Sequence, residues 1–120
     1  MKNRKVLKNK SLKFKEKVTK TKGVLFTVSY GKKEIGRAFL YLIYNKLHKK
    51  PYGLLEDVFV KEEFRGQGIG GELVKRVINK AKELGCYKLI ATSRFERKSV
   101  HNFYKKLGFK KWGYEFRIDF

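Results

Sequence analysis

The pattern of hydrophobic and polar positions changes its period once along the chain. The first half contains three segments rich in β-branched and aromatic residues, at positions 24–30, 34–44 and 54–60. This composition is typical of β-strands, which present a pleated and half-buried surface. Turn-forming residues separate the segments, with Gly31 in the first connection and Pro51 in the second. The sequence therefore predicts an antiparallel meander of three strands.

The second half follows a helical period. Apolar residues recur there every three or four positions, at Ile69, Leu73, Val77, Ala81 and Leu84. This spacing predicts an amphipathic helix, and Gly85 is a typical residue just beyond a helix C terminus. We expect a strand of the buried type at 87–92 and a second amphipathic helix at 99–107.

The final residues alternate between apolar and charged side chains. The apolar set is Tyr114, Phe116, Ile118 and Phe120, and the charged set is Glu115, Arg117 and Asp119. A period of two predicts a half-buried closing strand, which is also the predicted contact for a homodimer, because an unpaired edge can template another chain. The whole order predicts a mixed α/β sheet in one domain, residues 1–120. We expect the basic residues 1–22 to add part of a strand and a partly mobile segment.

The charge of the chain is strongly positive. It has 31 Lys and Arg residues against 11 Asp and Glu residues, a formal net charge of +20. Such a field attracts polyanions, so a nucleic-acid or acidic-protein partner is one explanation. The other is a solvated basic surface without a dedicated partner, since the lysines are spread along the whole chain. Both explanations stay open from composition alone.

Location and metal content follow from features that the sequence lacks. No apolar run approaches the roughly 20 residues that a membrane helix needs, and the basic N terminus has no apolar signal core after it. We therefore expect a cytoplasmic protein without a membrane contact. Cys86 is the single cysteine, and His48 and His101 are the only histidines. We expect no metal site, because these few ligands are scattered.

A glycine-rich loop carries the clearest functional signal. After the third predicted strand the chain reads Arg65-Gly66-Gln67-Gly68-Ile69-Gly70-Gly71 and enters the first predicted helix. A loop of this kind exposes backbone N–H groups at a helix N terminus, where an anion such as phosphate binds. The letters also satisfy the dinucleotide pattern G-x-G-x-x-G. That pattern belongs after a first strand and needs an acid about 20 positions later, which this chain lacks.

Two motifs in order resemble a known family. Residues 65–70 resemble the R-x-x-G-x-G motif of the GNAT family of acetyl-CoA-dependent N-acetyltransferases. Residues 103–109, Phe-Tyr-Lys-Lys-Leu-Gly-Phe, are similar to the F-Y-x-K-x-G-F signature on the last helix of that family. The resemblance implies a GNAT-like acyl-CoA N-acyltransferase fold. The sequence departs from the family in one respect: we expect the usual pair of N-terminal helices to be absent or vestigial, since only residues 1–23 precede Val24.

The resemblance implies a set of cofactor-binding residues for acetyl-CoA. In the family, backbone N–H groups of the loop bind the pyrophosphate, and the preceding strand pairs with the pantetheine arm. Arg97 stands where the family usually has an asparagine, and we assign it to a phosphate. The implied set is Phe59, Val60, Arg65, Gly66, Gln67, Gly68, Ile69, Gly70 and Arg97.

The resemblance also suggests the catalytic groups. A primary amine is protonated at neutral pH and must lose a proton before it attacks a thioester. Tyr104 stands at the family's tyrosine beside the coenzyme A sulfur, so we interpret it as the general acid. Glu56 is the favoured base, acting directly or through a water, with Asp57 as the second choice. Strand alternation predicts that these two acids face opposite sides of the sheet.

The expected function is acetyl transfer by direct attack of a primary amine in a ternary complex. The acceptor is a small molecule or a peptide, and the net charge favours an anionic amine over a polyamine. Two alternatives stay open. One is a module that binds acetyl-CoA without catalysis, and the other is a basic nucleic-acid-binding protein.

Overall fold

A computed structural model of the protein describes residues 12–45 and 47–120. Four strands form one mixed sheet in the order β1-β2-β3-β4, with the first three antiparallel and β4 parallel to β3. The elements are β1 Lys22–Tyr30, β2 Lys33–Ile43, β3 Tyr52–Val60, a 3-10 turn Glu62–Phe64, α1 Ile69–Glu83, β4 Leu89–Ala91 and α2 Lys98–Lys106. The predicted mixed α/β architecture, with a meander first and helices later, is confirmed.

The core lies between α1 and one face of the sheet. Its largest fully buried side chains are Leu40 and Leu42 on β2 and Val74 and Val77 on α1. Each such side chain contributes about 1.5–3 kcal/mol when it leaves water. The helical stripe predicted from the sequence is therefore the face that α1 buries, and this packing fixes where the helix begins relative to the end of β3.

The predicted closing strand is not formed in the described part of the chain. Residues 107–120 have no strand partner there, and Phe116 is 93% and Ile118 79% exposed. Alternation gives a segment one apolar and one charged face, as a half-buried strand has. A strand also needs hydrogen bonds to the backbone of a neighbouring strand. The nearest sheet edge, β4, offers only three residues, Leu89–Ala91.

The N-terminal segment also lacks regular structure where it is described. Residues 12–21 form neither strand nor helix, and Phe14 and Val18 are almost fully exposed. The part of the predicted strand that falls on residues 1–11 lies outside the described residues. Over the stretches 12–45 and 47–120, no helix is long and apolar enough to cross a bilayer.

Candidate cofactor groove and active site

The glycine loop connects the end of β3 to the start of α1. Gly66 has a φ of +79° and Gly68 a φ of +82°, backbone conformations that residues with a Cβ rarely adopt. Gly68 is the N-cap of α1, and no side chain caps it. In the residues that the structure covers, the N–H groups of 66–71 have no backbone or side-chain acceptor. These donors, together with the helix dipole, form a cradle for an anion.

An open groove of about 380 Å³ lies directly beside this loop. One wall is the end of β3, another is the start of α1, and Phe103 of α2 contributes a third side. The groove is lined by Val58, Val60, Phe64, Arg65, Gly66, Gly68, Ile69, Gly70, Gly71 and Phe103. An apolar channel that ends at an N–H cradle fits a ligand with an extended arm and a phosphate group.

The groove gathers most of the predicted cofactor residues but not all of them. Val60, Arg65, Gly66, Gly68, Ile69 and Gly70 line it, whereas Phe59, Gln67 and Arg97 do not. The groove also has four lining residues that were not predicted from the sequence: Val58, Phe64, Gly71 and Phe103. Phe103 stands in the motif at 103–109, so its position was a usable signal. Val58 could not be assigned to the groove, because a bulge determines which way it faces.

Arg65 holds the loop against β3. Its Nε donates a hydrogen bond to the carbonyl oxygen of Val60 at 2.7 Å. Its guanidinium lies 5.5 Å from the centre of the Phe59 ring, and the guanidinium of Arg37 lies 4.9 Å from that same ring. The Phe59 ring therefore lies within cation–π distance of two guanidinium groups and stays partly exposed.

A β-bulge in β3 re-aims the strand at this point. Phe39 pairs with Glu56 and Arg37 pairs with Phe59, so two residues on β3 stand opposite one on β2. The bulged Asp57 has a φ of +51°, in the left-handed region. The prediction that Glu56 and Asp57 alternate regularly between two faces is therefore wrong. The extra residue breaks the period of two.

The bulge determines which face of the sheet each site residue of β3 occupies. Leu55, before the bulge, is buried in the core beneath α1, so Glu56 points to the opposite face. Val60 pairs with the buried Gly36, which places it on the α1 face, where it lines the groove. Strand β3 therefore places the Glu56 carboxylate on one face of the sheet and, four residues later, the groove residue Val60 on the other.

The surroundings of Glu56 raise the pKa of its side chain. Its side chain is half-buried, and burial raises its pKa above the ordinary carboxyl value of 4.5. The nearby negative charges of Asp57 and Glu115 raise the pKa further. A carboxylate with a raised pKa is a stronger base than an ordinary glutamate. Asp57 is exposed and lies in the bulge.

Tyr104 lies on α2 within an aromatic cluster. Its ring centre is 5.4 Å from that of Phe103 and 5.2 Å from that of Phe109. Burial raises the pKa of its hydroxyl above 10.0, and the charge of Glu56 raises it further, while Arg97 lowers it. The phenol is therefore protonated at neutral pH and can act as a proton donor. These charge effects place Glu56, Tyr104 and Arg97 in one electrostatic neighbourhood.

Two further kinds of site were considered among the residues that the structure describes, a reactive cysteine and a metal centre. Cys86 is a free, half-buried thiol whose pKa is raised by burial, so it is not a ready thiolate nucleophile. Across 12–45 and 47–120, no group of three or more His, Cys, Asp or Glu residues is arranged to hold a metal ion.

Comparisons with known proteins show the family of the chain. The sequence profile of the Acetyltransferase (GNAT) family matches residues 4–109. The thialysine N-epsilon-acetyltransferase of Sus scrofa is 37% identical over 75 residues, which are 62% of this chain and 43% of that protein. The probable glucosamine 6-phosphate N-acetyltransferase 2 of Oryza sativa subsp. japonica is 40% identical over 68 residues, 57% of this chain and 39% of that protein.

Solved structures share the fold. A putative acetyltransferase from Agrobacterium tumefaciens str. C58 superimposes with a TM-score of 0.77 at 28% identity, covering 81% of this chain and 68% of that one. The glucosamine-6-phosphate N-acetyltransferase from Arabidopsis thaliana superimposes with a TM-score of 0.73 at 26% identity, covering 82% and 67%. The matches to the Sus scrofa and Oryza sativa proteins span less than half of those proteins' length.

Proposed function

This chain belongs to the GNAT acetyltransferase family, and from that premise we propose that it is an N-acetyltransferase that moves the acetyl group of acetyl-CoA to a primary amine. The observation that carries the proposal is the groove at the end of β3, which runs into a cradle of N–H groups without acceptors among the described residues. The phenol of Tyr104 packs against the groove residue Phe103, and the half-buried carboxylate of Glu56 acts electrostatically on that phenol.

The groove residues fit acetyl-CoA. The N–H groups of residues 66–70 would bind the pyrophosphate, because they are donors at the positive end of the α1 dipole. The backbone N–H of Arg65 already donates to the carbonyl oxygen of Glu62, so Arg65 would act through its positive charge. The backbone of Phe59 and Val60 would run beside the pantetheine arm, and Arg97 would meet a phosphate. When bound, acetyl-CoA supplies a thioester carbonyl as the acetyl donor.

Two side chains would move the protons. Glu56 accepts a proton from the acceptor ammonium group, directly or through one water, so that the free amine can form the new C–N bond. Tyr104 donates its hydroxyl proton to the sulfur as the C–S bond breaks, and the second proton that the amine nitrogen loses restores the phenol. The raised pKa of Glu56 suits a base, and a phenol whose pKa lies above 10.0 is in its protonated form at neutral pH.

Glu56 is the better base of the two neighbouring acids. It is half-buried, and its pKa is raised by burial and by two adjacent carboxylates. Asp57 is exposed in the bulge, and its negative charge acts on Glu56 instead. In this account Asp57 tunes the base and does not replace it.

The acceptor is a primary amine on a small molecule or a peptide. The names of the Sus scrofa and Oryza sativa relatives point to two candidates, a lysine analogue and an amino sugar phosphate. The net charge of +20 favours the anionic sugar phosphate, because a positive field concentrates anions and repels polyamines.

A release assay for free coenzyme A tests the proposal. The full chain and acetyl-CoA are mixed with a panel of amines that includes glucosamine 6-phosphate, thialysine, spermidine and an acidic peptide. Turnover with one acceptor, lost in the Glu56→Gln variant, supports the proposed transferase. Selective binding of acetyl-CoA without turnover across the panel would favour a non-catalytic binding module.

A nucleic-acid function makes a different prediction from the same charge. A net charge of +20 is enough by itself to cause binding of DNA or RNA that weakens steeply with salt. Such binding would therefore identify no function. Discrimination between sequences or structures at physiological salt, in a protein without selective acetyl-CoA binding, would replace the transferase proposal.

A further inference from the structure

Three rings lie together at the end of the sheet where β3 begins. The ring centre of His48 is 4.6 Å from that of Tyr87, and the ring of Tyr52 meets that of Tyr87 edge-on at 6.3 Å. His48 and Tyr87 are exposed, and Tyr52 is half-buried. Adjacent rings at a surface offer flat faces on which a further ring can stack. Together with the neighbouring Lys88, we call these residues the aromatic platform.

Lysines make the aromatic platform positive. The ammonium group of Lys88 lies 4.9 Å from the centre of the Tyr52 ring and 5.4 Å from that of the Tyr87 ring. Lys49 and Lys50 are exposed and follow directly in the loop before β3. Residues 44–53 and 84–92, which carry the platform, contain no Asp or Glu. The platform therefore combines ring faces with a positive charge that no acid of these two segments offsets.

Backbone hydrogen bonds hold the two segments of the platform together. The N–H of Tyr87 donates to the carbonyl oxygen of Pro51 at 3.1 Å, and the N–H of Gly53 donates to the carbonyl oxygen of Lys88 at 2.9 Å. The pairing of β3 with β4 continues from this point. The rings are thus placed by the sheet itself, and a ligand would meet a surface that is already formed, which lowers the entropic cost of binding.

The platform lies far from the proposed cofactor groove. Tyr52 is the first residue of β3, whereas Val60, which lines the groove, is the last. A strand rises about 3.3 Å per residue, so the length of β3 separates the two by about 25 Å. A ligand on the platform therefore leaves the groove free, and binding there does not depend on the proposed transferase activity.

We propose that the aromatic platform binds a single strand of nucleic acid. Unpaired bases would stack on the rings, and the phosphates of the strand would meet Lys49, Lys50 and Lys88. Aromatic side chains beside a positive surface are the usual means of holding a single strand, because every base has a face that can stack. The net charge of +20 draws the strand to the protein, and the platform supplies the place where it binds.

Other anionic partners would use only part of this surface. An acidic peptide would satisfy the lysines and leave the ring faces without a regular partner. A duplex keeps its bases stacked on one another, so only its backbone would reach the platform. A single strand carries phosphates and free base faces along one chain, and this combination matches the rings and lysines of the platform.

Fluorescence polarisation of labelled oligonucleotides tests the proposal with the full chain at about 0.15 M salt. The probes are single strands of about 12 nucleotides, one of RNA and one of DNA with the same sequence, and the duplex of each with its complement. Both single strands should bind about tenfold more tightly than their duplexes, because only unpaired bases can stack. Equal or tighter binding of the duplexes by the wild-type chain is the result of charge alone and overturns the proposal.

Removal of one ring tests the stacking. In Tyr87→Ala the dissociation constant for the single strand should rise about tenfold or more, while that for the duplex stays the same. Tyr87→Phe keeps the ring and should bind as the wild type does. Tyr30→Ala is the matched control, because Tyr30 is 72% exposed but lies at the β1–β2 turn, at the other end of the sheet. Equal losses in Tyr87→Ala and Tyr30→Ala would overturn the platform as the site.

A second ring keeps the test decisive if Tyr87→Ala does not fold. His48 is exposed in the loop before β3, so His48→Ala should leave the circular dichroism spectrum and the melting temperature unchanged. This variant loses one face of the platform, and we expect the same selective weakening for the single strand. A folded His48→Ala variant that binds strand and duplex as the wild type does would contradict stacking at this surface.

Exchange of the lysines tests the phosphate contacts. Lys49→Gln with Lys50→Gln removes two charges, so the slope of log Kd against log salt for the single strand should fall by about 1.4. Lys110→Gln with Lys111→Gln is the matched control, because it removes the same charge from an adjacent, exposed pair after α2. The same change of slope in both double variants would show that net charge alone drives binding, and would overturn the proposed site.

Discussion

Glu56 on β3 lies close enough to Tyr104 on α2 for the negative charge of its carboxylate to raise the pKa of the tyrosine hydroxyl. The two residues come from separate elements, and the fold brings them together. Burial is the larger cause of the raised pKa, and the charge of Glu56 adds to it. The chemistry we propose rests on this pair together with the groove beside the glycine loop.

Removal of the Tyr104 hydroxyl tests its proposed role as the acid. In Tyr104→Phe we expect kcat to fall about 10²-fold with little change in the KM for acetyl-CoA, because a positioned general acid typically contributes that much. The ring contacts with Phe103 and Phe109 stay in place. Steady-state kinetics measure this, with Tyr87→Phe as the control at an exposed tyrosine that is not part of the proposed active site. An unchanged kcat in Tyr104→Phe would show that the ring only packs.

Asp57→Asn separates the roles of the two neighbouring acids. The negative charge of Asp57 raises the pKa of Glu56, so its removal should lower that pKa. A base works only when it is ionised, so wild-type kcat/KM should fall as the pH drops through the raised pKa of Glu56. In Asp57→Asn the same fall should occur at lower pH, with the plateau kept. The pH profile of kcat/KM measures both values, and a collapse of the plateau would instead identify Asp57 as the base.

Glu56→Gln should make the protein more stable at neutral pH. The folded state raises the pKa of Glu56, so the fold binds its proton more tightly than the unfolded chain does. The contribution of Glu56 to folding stability is therefore greatest at pH values below the ordinary carboxyl pKa of 4.5. As the pH rises through the raised pKa, the side chain ionises in the folded state and the free energy of unfolding falls. Urea unfolding at neutral pH should show the variant as the more stable protein. The difference should vanish once wild-type Glu56 is protonated, and a pH-independent difference would contradict the electrostatic explanation.

The bulge at Asp57 makes a separate prediction about stability. A φ of +51° is tolerated by Asp and Asn but strained for a β-branched residue. Asp57→Val should therefore lower the free energy of unfolding by about 1–3 kcal/mol. Asp57→Asn keeps the conformation and is the matched control. Equal stability of the two variants in urea would mean that the backbone at this position is not left-handed in solution.

The sequence predicted those parts of the molecule in which local pattern and packing agree. The stripe from Leu73 to Ala81 packs as predicted, because its period matches the face that α1 turns to the sheet. The glycine loop was predicted as well, since a left-handed N-cap before a helix has a recognisable composition. The role of Tyr104 stays a prediction from the motif at 103–109, and the structure adds an electrostatic link between this residue and Glu56.

Predictions from the sequence were wrong where the structure depends on how strands pair with one another. Phe116 and Ile118 alternate like strand residues, yet no described neighbour pairs with them. The bulge at Asp57 was also not predicted. A register shift depends on how two strands pair, and the sequence pattern of each strand by itself does not reveal it. That shift determines which residues face the groove, so Val58 was not assigned to it.

Titration calorimetry with acetyl-CoA tests the central claim most directly, with ATP as a second polyanion. The wild-type chain should bind acetyl-CoA with about micromolar affinity and prefer it clearly to ATP, as an N–H cradle with an apolar channel requires. Gly68→Glu should abolish binding, because it adds a negative side chain to the cradle. Gly31→Glu should bind normally; it also places glutamate at a left-handed glycine, with φ of +60°, but in the β1–β2 turn. Equal affinity of both variants, or no preference for acetyl-CoA over ATP in the wild type, would contradict the proposed site.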